Sequence, residues 1–166
     1  ALDADNSVKV YLEALNKQLW DARYSPSSNF ASQAHEKRIS LGAFGTGGML
    51  VEARAGGGVR YRTIHLAELY ADENLDGVVD TVHRKFELTA RQAVQMFREK
   101  TPQRIMKAFE AGRLSETFEF LHCVGPREDY DRKRVDMKGL PFSGYYLFCD
   151  GREIVREDGY HEQPYI

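Results

Sequence analysis

The sequence of 166 residues has only two cysteines, one tryptophan and five prolines, and no apolar run approaches the roughly 20 residues that a membrane-spanning helix needs. Cys123 and Cys149 are too few for a disulfide framework and too far apart for a metal knuckle. Both stand in strand-like apolar runs, residues 118–124 and 145–149, where a reduced thiol behaves as a small hydrophobe; a reducing cytoplasm at synthesis fits them. Net charge is also scarce. Twenty-three basic side chains against 25 acidic ones leave −2, which excludes the global cationic field of a DNA-coating or lipid-binding protein. The first residues lack the charged-then-apolar pattern of a secretion signal. What remains is an ordinary globular composition, 42% apolar and 29% charged. A chain of this length buries roughly 70% of its unfolded surface, so no staple is required. The start at Ala1, without methionine, and the stop just after Pro164-Tyr165 lead us to expect a single domain, residues 1–166, cut from a longer polypeptide.

Periodicity gives the elements. Asn6 or Ser7 caps a first helix carrying Val8, Tyr11, Leu12, Leu15 and Leu19 at three- and four-residue steps, closed by Trp20 and the break Ser25-Pro26. A second helix begins near Asn29, carries Phe30, Ala34 and Leu41, and ends at Gly42 and Gly45. From Met49 the period changes to two. Residues 49–55 and 59–66 form a hairpin across Gly56-Gly57-Gly58, residues 69–70 a short strand, and residues 78–88 a longer one with Val78, Val82, Phe86 and Leu88 on one face. Thr89-Ala90-Arg91-Gln92 is a capping box for a helix packing through Ala93, Met96 and Phe97. Thr101-Pro102 opens another, with Ile105, Met106 and Phe109 inward and Gly112 at its end. Residues 118–124 read as a strand, and residues 127–138, nine of twelve of them charged, as a solvated excursion. A last hairpin turns at Asp150-Gly151. Hairpins rather than crossover helices join the strands, so the expected class is α+β: two N-terminal helices, mostly antiparallel strands, and two short helices between strand groups.

Candidate chemistry fails on its own requirements. The glycine cluster at residues 42–48 lacks the Lys-Ser/Thr of a phosphate loop, and its helix-before-glycine order reverses a dinucleotide fingerprint; it reads as a helix terminator feeding a hairpin. Asp72-Glu73-Asn74-Leu75-Asp76-Gly77 matches the first half of a calcium loop, but His83 stands where the bidentate glutamate belongs and strands flank it, so it reads as an Asx turn. The histidines His35, His65, His83, His122 and His161 show no zinc spacing. His65, His83 and His122 fall in strand-like runs, where a hydrogen-bonded structural histidine is the common case. Ser143-Gly144 lacks the preceding glycine of a nucleophile elbow. Arg60 and Arg62 alternate on one strand face, and Arg132-Lys133-Arg134 lie among acids, without the interleaved aromatics of a single-strand binder. We therefore assign no catalytic, cofactor-binding or metal-binding residue and no cofactor.

One resemblance is specific. Trp20-Asp21-Ala22-Arg23, Ser28-Asn29-Phe30, Gln33, His35-Glu36 and residues 41–47 resemble the head-to-tail connecting proteins, the portal subunits, of short-tailed bacteriophages. The likeness continues through Arg60-Tyr61-Arg62-Thr63-Ile64, Glu68-Leu69-Tyr70, Glu73-Asn74, Asp76-Gly77-Val78-Val79-Asp80-Thr81-Val82, Arg84, Phe86 and residues 88–93. Leu121-His122, Pro126-Arg127 and Gly159-Tyr160 up to Pro164-Tyr165 are similar but less distinctive. The resemblance implies a ring, usually of twelve subunits, at one capsid vertex of the virion, made in the host cytoplasm. Such a ring docks the terminase, passes DNA in and out, anchors the tail proteins, touches no membrane and is not an enzyme. These residues would belong to its outer, wing-like region, with stem, clip and C-terminal parts elsewhere, so DNA would pass without being held by them. Ring closure needs two complementary surfaces per subunit; residues 127–138 and the polar faces of the first two helices are candidates. The alternatives are a non-ring virion adaptor and a metal- or nucleotide-binding enzyme using residues 42–48 or 72–80.

Overall fold

A computed structural model describes residues 6–54 and 57–166, which fall into two compact units, Ala1–Leu66 with Pro164–Ile166 and Ala67–Gln163. The class is α+β with antiparallel strands, as the hairpin spacing implies.

The first unit opens with α1 (Asn6–Tyr24) and α2 (Phe30–Phe44), followed by the antiparallel pair β1 (Gly48–Ala53) and β2 (Val59–Ile64). Gly42 continues α2; the helix stops at Gly45, whose φ of 74° and N–H donation to Leu41 O form the left-handed closure that glycine adopts without strain. Leu41, expected on the packed face, is exposed, and α2 instead turns Phe30, Gln33, Ala34 and Lys37 inward. The chain returns so that Pro164–Ile166 line the other side of β1: Met49 and Ile166 exchange N–H···O bonds of 2.8 and 2.9 Å. Met49, Leu50, Ile64 and Tyr165 are buried. No residue of α1 or α2 is: of the α1 residues at three- and four-residue steps, Tyr11, Leu12 and Leu19 stand more than half exposed, while Val8 and Leu15 are half-buried. The turn expected at Gly56-Gly57-Gly58 lies partly at Ala55 and Gly56, outside the described residues.

The second unit is a five-stranded antiparallel sheet in chain order, β3 (Leu69–Glu73), β4 (Val79–Thr89), β5 (Thr117–Pro126), β6 (Phe142–Phe148) and β7 (Glu153–Tyr160). Alternation puts Val82, Arg84, Phe86 and Leu88 of β4 on one face, with Phe118, Phe120, His122 and Val124 of β5 beside them. Val78, expected on that face, precedes the strand and is exposed. Between β4 and β5 run α3 (Ala90–Phe97) and α4 (Gln103–Glu110). Both halves of the capping box form, Thr89 accepting from Gln92 N and Gln92 from Thr89 N. Ala90, Ala93, Phe97, Ile105 and Ala108 close over Phe86, Phe118, Phe120 and Phe148, with ring centroids 5.1 Å apart for Phe97–Phe120 and 5.6 Å for Phe120–Phe148. Each such ring contributes about 1.5–3 kcal/mol by leaving water.

Candidate functional site

Antiparallel register carries the same buried face beyond the helices, where it turns polar. Arg84 pairs with His122, His122 with Tyr146, and Tyr146 with Arg156, so four side chains cross β4 to β7 as one rung. His122 is fully buried and lies flat on Tyr146, centroids 3.9 Å apart and planes 7° from parallel; Tyr160 Oη is 3.5 Å from its Nε2. The two guanidinium groups stack outward from this pair, Arg84 4.3 Å from the Phe86 centroid and Arg156 4.4 Å from that of Tyr146. Each cation has its own carboxylate: Arg84 donates to Glu68 at 2.8 Å and Arg156 to Asp158 at 2.7 Å. Burial, then the charges of Arg156 and Arg84, lower the His122 pKa to about 3, so the ring is neutral at physiological pH. Gly144 keeps the rung closed: a Cβ there would lie 2.6 Å from Tyr160 Cε2 and 3.3 Å from His122 Nε2.

In the first unit the signature residues around the α1–α2 turn form a clamp. Ser28, fully buried, donates its hydroxyl to the carbonyls of Arg23 and Ser25 while its own carbonyl accepts from Tyr61 N. Asn29 takes the left-handed conformation, φ 58°, that starts α2. One turn later Gln33 holds Thr63 at both ends, Oε1 accepting from the amide and the main-chain carbonyl from the hydroxyl. Trp20 stacks on Tyr24 at 4.2 Å, and Tyr24–Phe30 and Phe30–Tyr61 meet edge to face at 5.2 and 4.8 Å. An open groove of about 400 Å³ runs along this joint, lined by Asn29, Gln33, Glu36, Arg60, Arg62 and Thr63 among others; Arg60 is tied to Glu52.

The remaining sequence candidates fall as follows. Asn74 Oδ1 accepts from the amides of Asp76 and Val78, making the calcium-like stretch the Asx turn of a β3–β4 hairpin. Among the described residues no three His, Cys, Asp or Glu side chains gather as metal ligands. Of the three histidines placed in strands, His83 and His122 lie in β4 and β5, whereas His65 lies just past β2 and is exposed. Cys123 and Cys149 are free and half-buried, and burial pushes both thiols up. Residues 127–138 are less solvated than their composition implies. Arg127 is buried, its guanidinium reaching Glu157 at 3.0 Å and Asp129 at 3.5 Å, and Lys138 grips Asp129 at 2.7 Å. Lys138 is the main cause that holds the Asp129 carboxyl below its usual range. These pairs brace an arm whose outer residues Arg132, Lys133 and Val135 are exposed, Val135 fully. Sequence reasoning missed the Arg84–His122–Tyr146–Arg156 rung, for which only the alternation within each strand gave a hint.

Comparison with known proteins accounts for the pattern. Residues 1–166 match the sequence profile of the bacteriophage head to tail connecting protein family. The chain is 28% identical over 162 residues to the portal protein of Salmonella phage epsilon15, and 26% identical over 162 residues to a probable portal protein of Bordetella phage BPP-1. Each match covers 96% of this chain and 29% of the relative, so the chain spans less than a third of the length of these relatives. No helix among the described residues is long and apolar enough to cross a membrane. With the Asx turn, the capping box and the Ser28–Gln33 clamp all built from the residues of that pattern, the chain belongs to the bacteriophage head to tail connecting protein family.

Proposed function

We propose that this chain is part of the outer, wing-like region of a phage portal subunit, which acts by assembly and geometry and not by catalysis. The observation that carries the reading is the match of the whole chain to the family together with relatives named as portal proteins. In this reading the full-length subunit closes into a homo-oligomeric ring, of about twelve copies in the family pattern, at the portal vertex of the virion. Capsid, terminase and tail proteins attach to it, and DNA passes through without being held by these residues.

The architecture suits the role. The buried arginines are consumed in fixing shape, Arg84 by Glu68 and Arg127 by Glu157, and the half-buried Arg156 is held by Asp158. The surfaces left for neighbours are the arm tip at Arg132, Lys133 and Val135 and the faces of α1 and α2. A repeated heterologous contact needs two unlike surfaces on one subunit, and this chain offers a cationic tip and a separate helical face. Electron microscopy of the full-length protein tests the reading directly: rings support it, and a monodisperse monomer under the same conditions refutes it. Changing Arg132, Lys133 and Arg134 to Glu reduces ring yield on a sizing column if the arm meets a neighbour; an unchanged yield removes the arm from the interface.

A further inference from the structure

Among the described residues, helix α1 is packed chiefly at its last turn, where Tyr24 meets Phe30, which leaves much of its apolar stripe in solvent. Nineteen residues make a helix that is marginal in water unless an amphipathic face is packed, yet none of them is buried. Val8, Leu12, Leu15, Leu19 and Ala22 follow one another at steps of four, three, four and three, the repeat of a helix that lies along another helix. Leu12 is 53% and Leu19 64% exposed, while Val8 and Leu15 are half-buried. A continuous seam of this spacing selects a helix as its occupant rather than a strand or a loop.

We infer that a helix from the remainder of the same subunit, outside residues 1–166, docks along the Val8–Leu19 seam of α1. The inference rests on the reading that this chain is part of a longer portal subunit. Two observations favour the same polypeptide over a second copy of α1. The aligned region is 29% of each relative, so most of such a subunit is available to cover it. The seam's flanks also carry Lys9 and Arg23 with no acid between them at the positions that face a partner, Asn16 standing midway. Two copies of α1 would set cations against cations when antiparallel and find no opposite charge when parallel; a helix with an acidic flank meets them favourably.

The test uses the full-length subunit with a photoreactive benzophenone side chain at Leu19, and separately at Tyr11, which borders the same seam, should the first substitution disturb folding. After irradiation the products are separated by denaturing electrophoresis and the joined peptides sequenced by mass spectrometry. The expected product migrates as one subunit and joins residue 19 or 11 to a peptide outside residues 1–166. A two-subunit band, a crosslink within residues 1–166, or no crosslink in a protein that elutes as wild type overturns the inference. Ring formation scored on the same sample separates this outcome from the portal reading: an internal crosslink in a protein that forms no rings keeps the docking and removes the ring.

Discussion

Protonation of His122 is the event most able to open the second unit, because the ring is buried, neutral and flanked by two cations. Its folded pKa is about 3, against 6.5 for an ordinary solvated histidine. The folded pKa is lowered, so the unfolded chain binds the proton more readily, and stability present above pH 6.5 is lost as pH falls toward 3. At about 1.4 kcal/mol for each pH unit between the two values, lowering pH from 7 to 5 removes about 2 kcal/mol through this side chain alone. The other groups around it do not offset the loss. Glu68 and Asp158 are already paired with Arg84 and Arg156. Glu119, Asp129 and Asp136 have carboxyls held below their usual range, chiefly by Lys85, Lys138 and Arg134 respectively, and so stay charged through the window. The assay is urea unfolding followed by tyrosine fluorescence and circular dichroism at pH 7, 6 and 5, on the wild type and on His122→Phe. Phenylalanine keeps a flat ring against Tyr146 and cannot titrate. The wild type is expected to lose about 2 kcal/mol more than the variant between pH 7 and 5. Parallel pH dependences in the two proteins refute the claim that a buried neutral histidine sits in this rung.

The pair Glu68–Arg84 gives an asymmetric expectation, since the Arg84 side chain is 4% exposed and that of Glu68 35%. Glu68→Ala strands a buried guanidinium and should cost about 2–3 kcal/mol after allowance for water reaching the vacated side, whereas Arg84→Met leaves a carboxylate that water can reach and should cost under about 1 kcal/mol; equal losses in denaturant midpoint refute the burial argument. Gly144→Ala forces Tyr160 off His122 and should cost about 1–3 kcal/mol. In the double variant Gly144→Ala with Tyr160→Ala the penalty for the added methyl should disappear, and its persistence would place the clash elsewhere.

What could be read from the sequence follows how local each determinant is. The Thr89–Gln92 box, the Asn74 turn and the Gly45 closure lie within four residues of chain, and each formed at the expected position. Strand alternation identified Phe86 and Leu88 as inward. The rung was not legible, because Arg84, His122, Tyr146 and Arg156 meet only through the register of four strands, and no single strand reveals which residue its neighbour presents. Arg127 was misread for the same reason: composition describes a charged stretch, but the carboxylate of Glu157 that buries its first member lies 30 residues away. The α1 stripe exposes another limit. Period 3.6 establishes that a face is apolar and leaves open what covers it.

The residues shared with the family pattern occupy joints. Ser28 and Gln33 fix the start of α2 to β2, Glu68 fixes the entry to β3 against Arg84, Asn74 sets the β3–β4 turn, and Thr89 with Gln92 sets the angle at which α3 leaves β4. In the proposed ring a subunit must hold the angles between its elements, because an error in each copy is repeated around the axis and the last contact then fails to meet the first. Pinning each change of chain direction with two or more hydrogen bonds is the local form of that requirement. It also explains how a chain of near-neutral net charge can keep two arginines buried: Arg84 and Arg127 each serve as a fastener between chain segments, and each is neutralised by the segment it fastens.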